Sequence, residues 1–424
     1  MNANAVDACS TGRHNAPMRL DFYYDIVCPY AYLASTQIEA VAARTGAELV
    51  WHPVLLGGIF RHVNADQVPM NGMSKPKARL NLLDMKRWAD RWSVPLTMPM
   101  QHPRRTVSAM RLLVATRGET RVALTKALYR AYWVEGRDVA DRTVLAEIAT
   151  KHGVDAAVID SADARQGLFD TTAEAAGHGA FGLPASVVDG TLWWGQDRLN
   201  FVETALGGQP PVHVPTPDAD RRPRVRFFHD FASPFSYLAA TQIEALAAAH
   251  GAELQWSPIL LGGLFREIGT PDVPLFQMNR TKQAYVGRDL EDWARWWGVD
   301  YSFPSHFPMR SILPLRIALA APETTLPLYR AAWGQNRRID DPEAVSAVLT
   351  EAGFDAASLL QATSDAEVKA ALRANTEAAK EAGACGVPTF QIWSDDGVDP
   401  LLVWGQDRLE LVGRMLDGWR PDGE

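Results

Sequence analysis

The sequence predicts an α/β protein made of two like domains in tandem. Each domain reads as a βαβ opening, a helical insertion and a ββα close. Three observations carry this reading. The chain repeats itself over its whole length, each repeat opens strand–helix–strand, and a proline-rich polar segment separates the copies. The segment RLDFYYDIVCPYAYLASTQIEAVAARTGAELVWHPVLLGGIFR, from Arg19, returns as VRFFHDFASPFSYLAATQIEALAAAHGAELQWSPILLGGLFRE, from Val225. Cys28 and Ser233, Trp51 and Trp256, and Arg61 and Arg266 are each 205 residues apart. The offset is 200 at Tyr129 and Tyr329, 204 at Pro184 and Pro388, and 210 at Gly195 and Gly405. The last change places an Asp/Gly/Pro-rich insertion, SDDGVDP, in a surface turn of the second copy. A period of about 200 is too long for a solenoid and marks two complete domains.

In each copy LDFYYD or RFFHD is a strand by its aromatic content. A Cys-Pro-Tyr or Ser-Pro-Phe turn follows, with proline placed to start a helix. AYLASTQIEAVAART is read as one helix, with Ile38 and Val41 on one face and Gly46 as its stop. ELVWHPVLL is read as the second strand, and the crossover makes the pair parallel. Residues from about 75 to 180 read as helices. Trp88, Trp92, Trp293, Trp296 and Trp297 stand at helical spacing, a pattern of core packing more than of a substrate cage. The close is a strand after Pro184 or Pro388, a turn, a strand and a last helix. The expected boundaries are a flexible tail 1–17, domain one 18–208, a Pro-rich linker 209–223 and domain two 224–420.

The 424 residues carry a net charge of −8, which argues against a nucleic-acid partner. No apolar run is long enough for a membrane span. The tail lacks the apolar core of a secretory signal. The three cysteines, Cys9, Cys28 and Cys385, form no CxxC pair and no metal spacing. So sparse a set fits a reducing cytoplasm. Cys9 falls in the tail without an evident partner, and Cys385 matches Phe181 of the first copy, a packing position.

The FYxD-xx-[CS]-P-[YF]-x-YLA opening, the LLGG-[IL]-F-R segment, the G-[LV]-P turn and the WGQDRL close occur in this order twice. Together they resemble the 2-hydroxychromene-2-carboxylate isomerase and kappa-class glutathione transferase branch of the DsbA-like thioredoxin superfamily. The resemblance covers nearly all of both copies. It implies two thioredoxin-like domains, each with a helical insertion, and glutathione as cofactor.

A helix N-terminus stabilises an anion, and redox relatives place a CxxC there. Here Cys28-Pro29-Tyr30-Ala31 and Ser233-Pro234-Phe235-Ser236 occupy it, so neither copy can close a CxxC disulfide. By resemblance Ser233 is catalytic, its hydroxyl donating to the glutathione thiolate; the plain alternative is a helix N-cap. Cys28 is the second candidate catalytic residue. Its position should depress its pKa, and it reads equally as a glutathionylatable nucleophile, a degenerate site or a small buried residue. The resemblance implies a cis peptide at Leu183-Pro184 and Val387-Pro388, with these residues binding the cofactor backbone. It places the γ-glutamyl group at Gln196 and Asp197, and at Gln406 and Asp407, with Gln standing where the family usually has Ser. Helix capping is the ordinary role of those aspartates. Lys77, Lys282 and Asn279 are candidate substrate contacts, with Ser74 opposite Asn279. Arg61 and Arg266, expected after the LLGG strand, are candidates for gripping a substrate carboxylate; Arg104, Arg105 and Arg310 are less specific. The second copy also has Asn375 where the first has Thr171.

These observations point to a glutathione-dependent isomerase of small aromatic carboxylates. Within the family the rival is a kappa-like glutathione transferase. Outside it the rivals are a thiol-disulfide oxidoreductase using Cys28 and a non-enzymatic binding protein. Since such proteins are commonly homodimers, the tandem is expected to act as an intramolecular pseudo-dimer, with a small-molecule substrate as its partner.

Overall fold

The computed structural model describes residues 17–67, 69–393 and 399–423. The tail with Cys9, and the core of the SDDGVDP insertion, lie outside the described residues. Each repeat builds one four-stranded mixed sheet. The first contains β1 (Arg19–Tyr24), β2 (Glu48–Pro53), β3 (Ala185–Val188) and β4 (Thr191–Trp194), in the order β2-β1-β3-β4. The second contains β5 (Arg224–His229), β6 (Glu253–Pro258), β7 (Thr389–Trp393) and β8 (Leu401–Trp404), in the order β6-β5-β7-β8. In both, the first two strands are parallel and the remaining pairings antiparallel, as a βαβ opening joined to a ββ close requires. The expected α/β class and its duplicated topology are both present.

Buried aromatics hold each sheet. Phe22 stacks on Tyr24, and both meet Trp51 edge-on. Phe227 stacks on His229 and Phe390 and meets Trp256 edge-on. Trp88 and Trp293 are buried as expected, each against the tryptophan one turn on, while Trp296 is 37% exposed.

Two local expectations change. The first copy's opening helix is two pieces, Pro29–Ser35 and Ile38–Thr45. Ser35 and Thr36 turn their hydroxyls back onto the carbonyls of Tyr32 (2.6 Å) and Leu33 (2.7 Å), and the run bends there. The second copy has Ala240 in place of Ser35, and its helix Pro234–Ala249 is continuous. The strand read through LLGG ends instead at Pro53 and Pro258, and LLGG begins a helix, Leu56–His62 or Leu261–Ile268. Buried carboxylates start these helices. Asp25 accepts from the backbone N–H of Leu56 at 2.8 Å, and Asp230 from that of Leu261 at 2.7 Å. Arg61 and Arg266 therefore sit on exposed helix faces and not at strand ends.

The compact units do not follow the repeat boundary. One comprises residues 1–56, 103–129 and 138–210; the other comprises 57–102, 130–137 and 211–424. The second unit thus includes the first copy's helix Lys75–Arg91. Leu80 on that helix packs with Cys385 and Leu402. The buried Arg87 guanidinium donates to the Leu402 carbonyl at 2.8 Å. Asp84 pairs with Arg408 at 2.6 Å, and Arg91 with Glu410 at 3.0 Å. An apolar contact flanked by ion pairs holds the helix there. Linear repeat alignment carries no sign of it.

Candidate active sites

In the second unit, Ser233 is the N-cap of the helix Pro234–Ala249. Its φ of −109° and ψ of 119° are extended, as an N-cap requires. The Ser233 hydroxyl accepts from the Ser236 N–H at 3.2 Å and donates to the Val387 carbonyl at 3.3 Å. The N-cap role is therefore present, and the hydroxyl proton is directed at the Val387 carbonyl. The Val387–Pro388 peptide is cis. Gly386 precedes it, and a Cβ there would stand a tight 3.2 Å from Trp404 Nε1, so the indole packs close against the turn. The Gly405 N–H donates to the Pro388 carbonyl at 3.0 Å, tying the GQDR turn to the same corner.

Within that turn Gln406 is buried. The Asp407 carboxylate folds back on its own turn and pairs with Arg408 at 3.1 Å. A Cβ on Gly405, whose φ is +109°, would meet Asp407 Oδ1 at 2.5 Å. Asn279 caps the helix Arg280–Trp297, its side-chain oxygen accepting from the Lys282 N–H at 2.9 Å. Ser74 caps the helix Lys75–Arg91 without a side-chain bond.

Lys77 lies in this unit, although the alignment makes it a first-copy residue. Its ammonium stands 5.6 Å from the centre of the Trp404 ring. Burial lowers the pKa of Lys282, and the neighbouring positive charge of Lys77 lowers it further. Burial pushes the Cys385 thiol up to about 12, against a smaller pull from Lys77. Lys77 thus stands over Trp404, with the Lys282 ammonium near enough to feel its charge. Arg266 is exposed on its helix, and Arg61 bonds the Gly57 carbonyl four residues back at 3.3 Å.

In the first unit the same corner holds Cys28 at the start of Pro29–Ser35. Its thiol donates to the Leu183 carbonyl at 3.2 Å, the counterpart of the Ser233 bond, and Leu183–Pro184 is also cis. The expectation of an acidic thiol is overturned. Burial pushes Cys28 up to about 12, and the Asp25 charge adds to that, outweighing the helix-start N–H groups of Ala31 and Tyr30. Gly195 N–H donates to Pro184 O at 3.0 Å. Gln196 is buried with its amide nitrogen unpartnered among the described residues, and Asp197 pairs with Arg198 at 3.0 Å.

Asp25 and Asp230, which sequence reasoning leaves without a role, directly follow the first strand of each repeat. Each is fully buried, and desolvation raises its pKa to about 6. Asp25 also accepts from the Val27 N–H at 3.2 Å, and Asp230 from the Ala232 N–H at 2.9 Å, just ahead of the helix start. An aspartate closing a strand immediately before a Pro-initiated helix was the available signal. His229, also unflagged, is buried, bonds the Tyr329 hydroxyl at 3.1 Å, and has its pKa pulled down to about 3 by desolvation. Thr171 and Asn375 do the same structural job, each donating to the carbonyl that ends the second strand, Pro53 at 2.8 Å or Pro258 at 3.2 Å.

A mixed sheet with a polar residue at the first helix start, facing a cis-proline turn, defines a thioredoxin-like protein. The chain belongs to the DSBA-like thioredoxin domain family, whose model matches residues 19–207 and 224–417. Over 191 residues it is 30% identical to the 2-hydroxychromene-2-carboxylate isomerase of Sphingobium xenophagum, a match spanning 44% of this chain and 97% of that protein. Over 206 residues it is 28% identical to glutathione S-transferase kappa 2 of Caenorhabditis elegans, spanning 45% of this chain and 91% of that protein. A solved 2-hydroxychromene-2-carboxylate isomerase aligns at 24% identity and a TM-score of 0.40, covering 45% of this chain and 95% of that one. Each relative is the length of about one repeat. No helix among the described residues is long and apolar enough to cross a membrane.

Proposed function

We propose that the chain is a glutathione-dependent isomerase of small aromatic carboxylates, similar to 2-hydroxychromene-2-carboxylate isomerase, working at the second-unit site. The observation that carries this is the Ser233 hydroxyl, fixed at a helix start and turned to the Val387 carbonyl, with no protein thiol beside it in a CxxC arrangement. The donor set fits glutathione. Lys77 and Lys282 bring like charges together at a partly desolvated corner, which favours an anionic ligand there. Glutathione carries two carboxylates and, when bound, supplies the thiol nucleophile that a serine at position 233 does not.

The chain's own contribution is orientation and electrostatics. Ser233 has one hydroxyl proton, and in the free protein it goes to Val387 O. Turned toward a sulfur instead, it stabilises the thiolate at the positive end of the helix, while its oxygen keeps the Ser236 N–H. Gly386 and Gly405 keep the corner narrow, and Trp404 forms a flat apolar wall beside the lysines. Lys77 and Lys282 hold carboxylates of cofactor or substrate. A thiol-disulfide oxidoreductase using Cys28 is disfavoured, since burial keeps that sulfur protonated. We place the protein in the cytoplasm, where sparse thiols stay reduced.

The test is calorimetric titration of glutathione into wild type and Ser233→Ala, with thiolate absorbance followed against pH. A lost hydrogen bond to an ionised sulfur is worth roughly 1.5–3 kcal/mol, so the bound thiol's pKa should rise by about one to two units in the variant. Isomerisation of 2-hydroxychromene-2-carboxylate should fall in step. No glutathione binding by wild type would end this reading. Binding with conjugation of an electrophile but no isomerisation would replace it with a kappa-like transferase.

A further inference from the structure

We propose that His213, His250 and Asp417 form a binding site for one divalent first-row transition ion, zinc by preference, anchoring the linker to the second unit. The three residues come from three places. His213 is in the linker segment, His250 caps the C-terminus of the helix Pro234–Ala249, and Asp417 caps the C-terminus of Leu409–Leu416. Their ligand atoms all lie within 4.8 Å of one another. His213 Nε2 is 2.9 Å from one Asp417 oxygen, and His250 Nδ1 is 2.6 Å from the other. The imidazoles stack, with centroids 5.7 Å apart and planes 14° from parallel. The Thr216 N–H donates to Asp417 Oδ2 at 3.0 Å and so orients the carboxylate from the linker side.

A second observation shows that space has been made for these rings. A Cβ on Gly413 would stand 2.8 Å from His250 Nε2, so a larger residue would push that ring off its place, and 3.6 Å from His213 Cδ2, in ordinary contact. The first repeat uses the equivalent junction differently. There Arg44 and Glu203 make a two-bond ion pair at 2.8 and 2.6 Å. Their counterparts in the second repeat are Ala249 and Gly413, while His250 and Asp417 stand at the positions of Thr45 and Gly207. A self-contained ion pair has been exchanged for a group that gathers three metal-competent donors.

Two imidazoles and one carboxylate suit zinc, copper and nickel better than calcium or magnesium. Four ligands at about 2.0–2.1 Å in a tetrahedron are spaced about 3.3 Å apart. The two nitrogen–oxygen contacts would open by under about 1 Å, and ligand atoms up to 4.8 Å apart would close by about 1.5 Å, to reach that spacing; His213, on the linker, is the donor best able to move. Each neutral imidazole would shift its N–H proton to its other nitrogen, freeing the coordinating one. Water would complete the shell, giving a tether without a catalytic role. Nothing in this proposal depends on glutathione.

The experiment uses full-length protein stripped with chelator and titrated with cobalt(II), then zinc(II), following visible d–d bands and thermal unfolding. The expected result is one equivalent of cobalt with tetrahedral bands, displaced by zinc, and a zinc-dependent rise in Tm. His213→Ala, a linker change remote from either sheet, and Gly413→Ala should both abolish the bands and the rise. His152→Ala should leave them intact. Absence of cobalt bands and of a zinc shift in wild type would overturn the proposal and leave a hydrogen-bonded latch. So would binding that persists unchanged in His213→Ala.

Discussion

The most discriminating prediction concerns Cys28. A thiol at a helix start is ordinarily activated, and this one is not. Burial moves it from 9.0 up to about 12, with the Asp25 charge pushing the same way and the N–H groups of Ala31 and Tyr30 pulling weakly back. Three units correspond to a thiolate population about a thousand-fold below that of a free cysteine at the same pH. Because the thiolate is the reacting species, alkylation should slow by about that factor. The assay is iodoacetamide labelling in a Cys9→Ser background, read by peptide mass spectrometry against pH, with glutathione as the free-thiol standard. Labelling of Cys28 should be about a thousand-fold slower than the standard at pH 7. It should rise steadily with pH past 9 and become ordinary only on denaturation. A plateau below pH 8, or labelling at the standard's rate, would refute the burial argument and restore a one-cysteine redox reading.

Two further predictions follow from the same physics. Asp230 has a folded pKa of about 6 against 3.8 unfolded, so the native state binds the extra proton between those values and this group's contribution to stability falls as pH rises from about 4 to 6. Urea unfolding should therefore show that Asp230→Asn removes a decline worth about 3 kcal/mol across that window; an identical pH slope in variant and wild type would contradict it. Arg87→Met keeps the bulk of the buried stem but leaves the Leu402 carbonyl without its donor. It should cost about 1–3 kcal/mol in chemical denaturation; a neutral result would mean that the Lys75–Arg91 helix is held by its apolar face alone.

Much of the fold was legible because it is written in local chemistry. Aromatic strands, proline at each opening helix start and glycine at the close gave both sheets, while the cis-proline corners came from the family resemblance. The N-cap position of Ser233 was legible from its place before Pro234. What failed to show was chemistry requiring a distant partner. LLGG looked like the end of a strand because its apolar run has no period, and only the carboxylates of Asp25 and Asp230 make it a helix. Cys28 looked acidic because helix position can be read in a sequence and desolvation cannot. Lys77 was aligned with the first copy by residue number, whereas Leu80, Arg87 and Asp84 on its own helix find their partners at Leu402 and Arg408. Phe307–Pro308 stands opposite His102–Pro103 in the repeat, 205 residues apart, yet only the second copy's bond is cis.

The passage of the Lys75–Arg91 helix into the second unit makes the order of the gene and the order of folding two different partitions of the same chain. A protease cutting in the linker would yield fragments matching the repeats, yet neither would be a finished body. The C-terminal piece would have lost Lys77 from its corner and bared Leu402 and Cys385 to water. Mixed back together, the two pieces should reassociate, as halves of a complemented protein do. Duplication has in this way become irreversible: once a helix of the first copy completes the core of the second, the first cannot be shed without unmaking its neighbour.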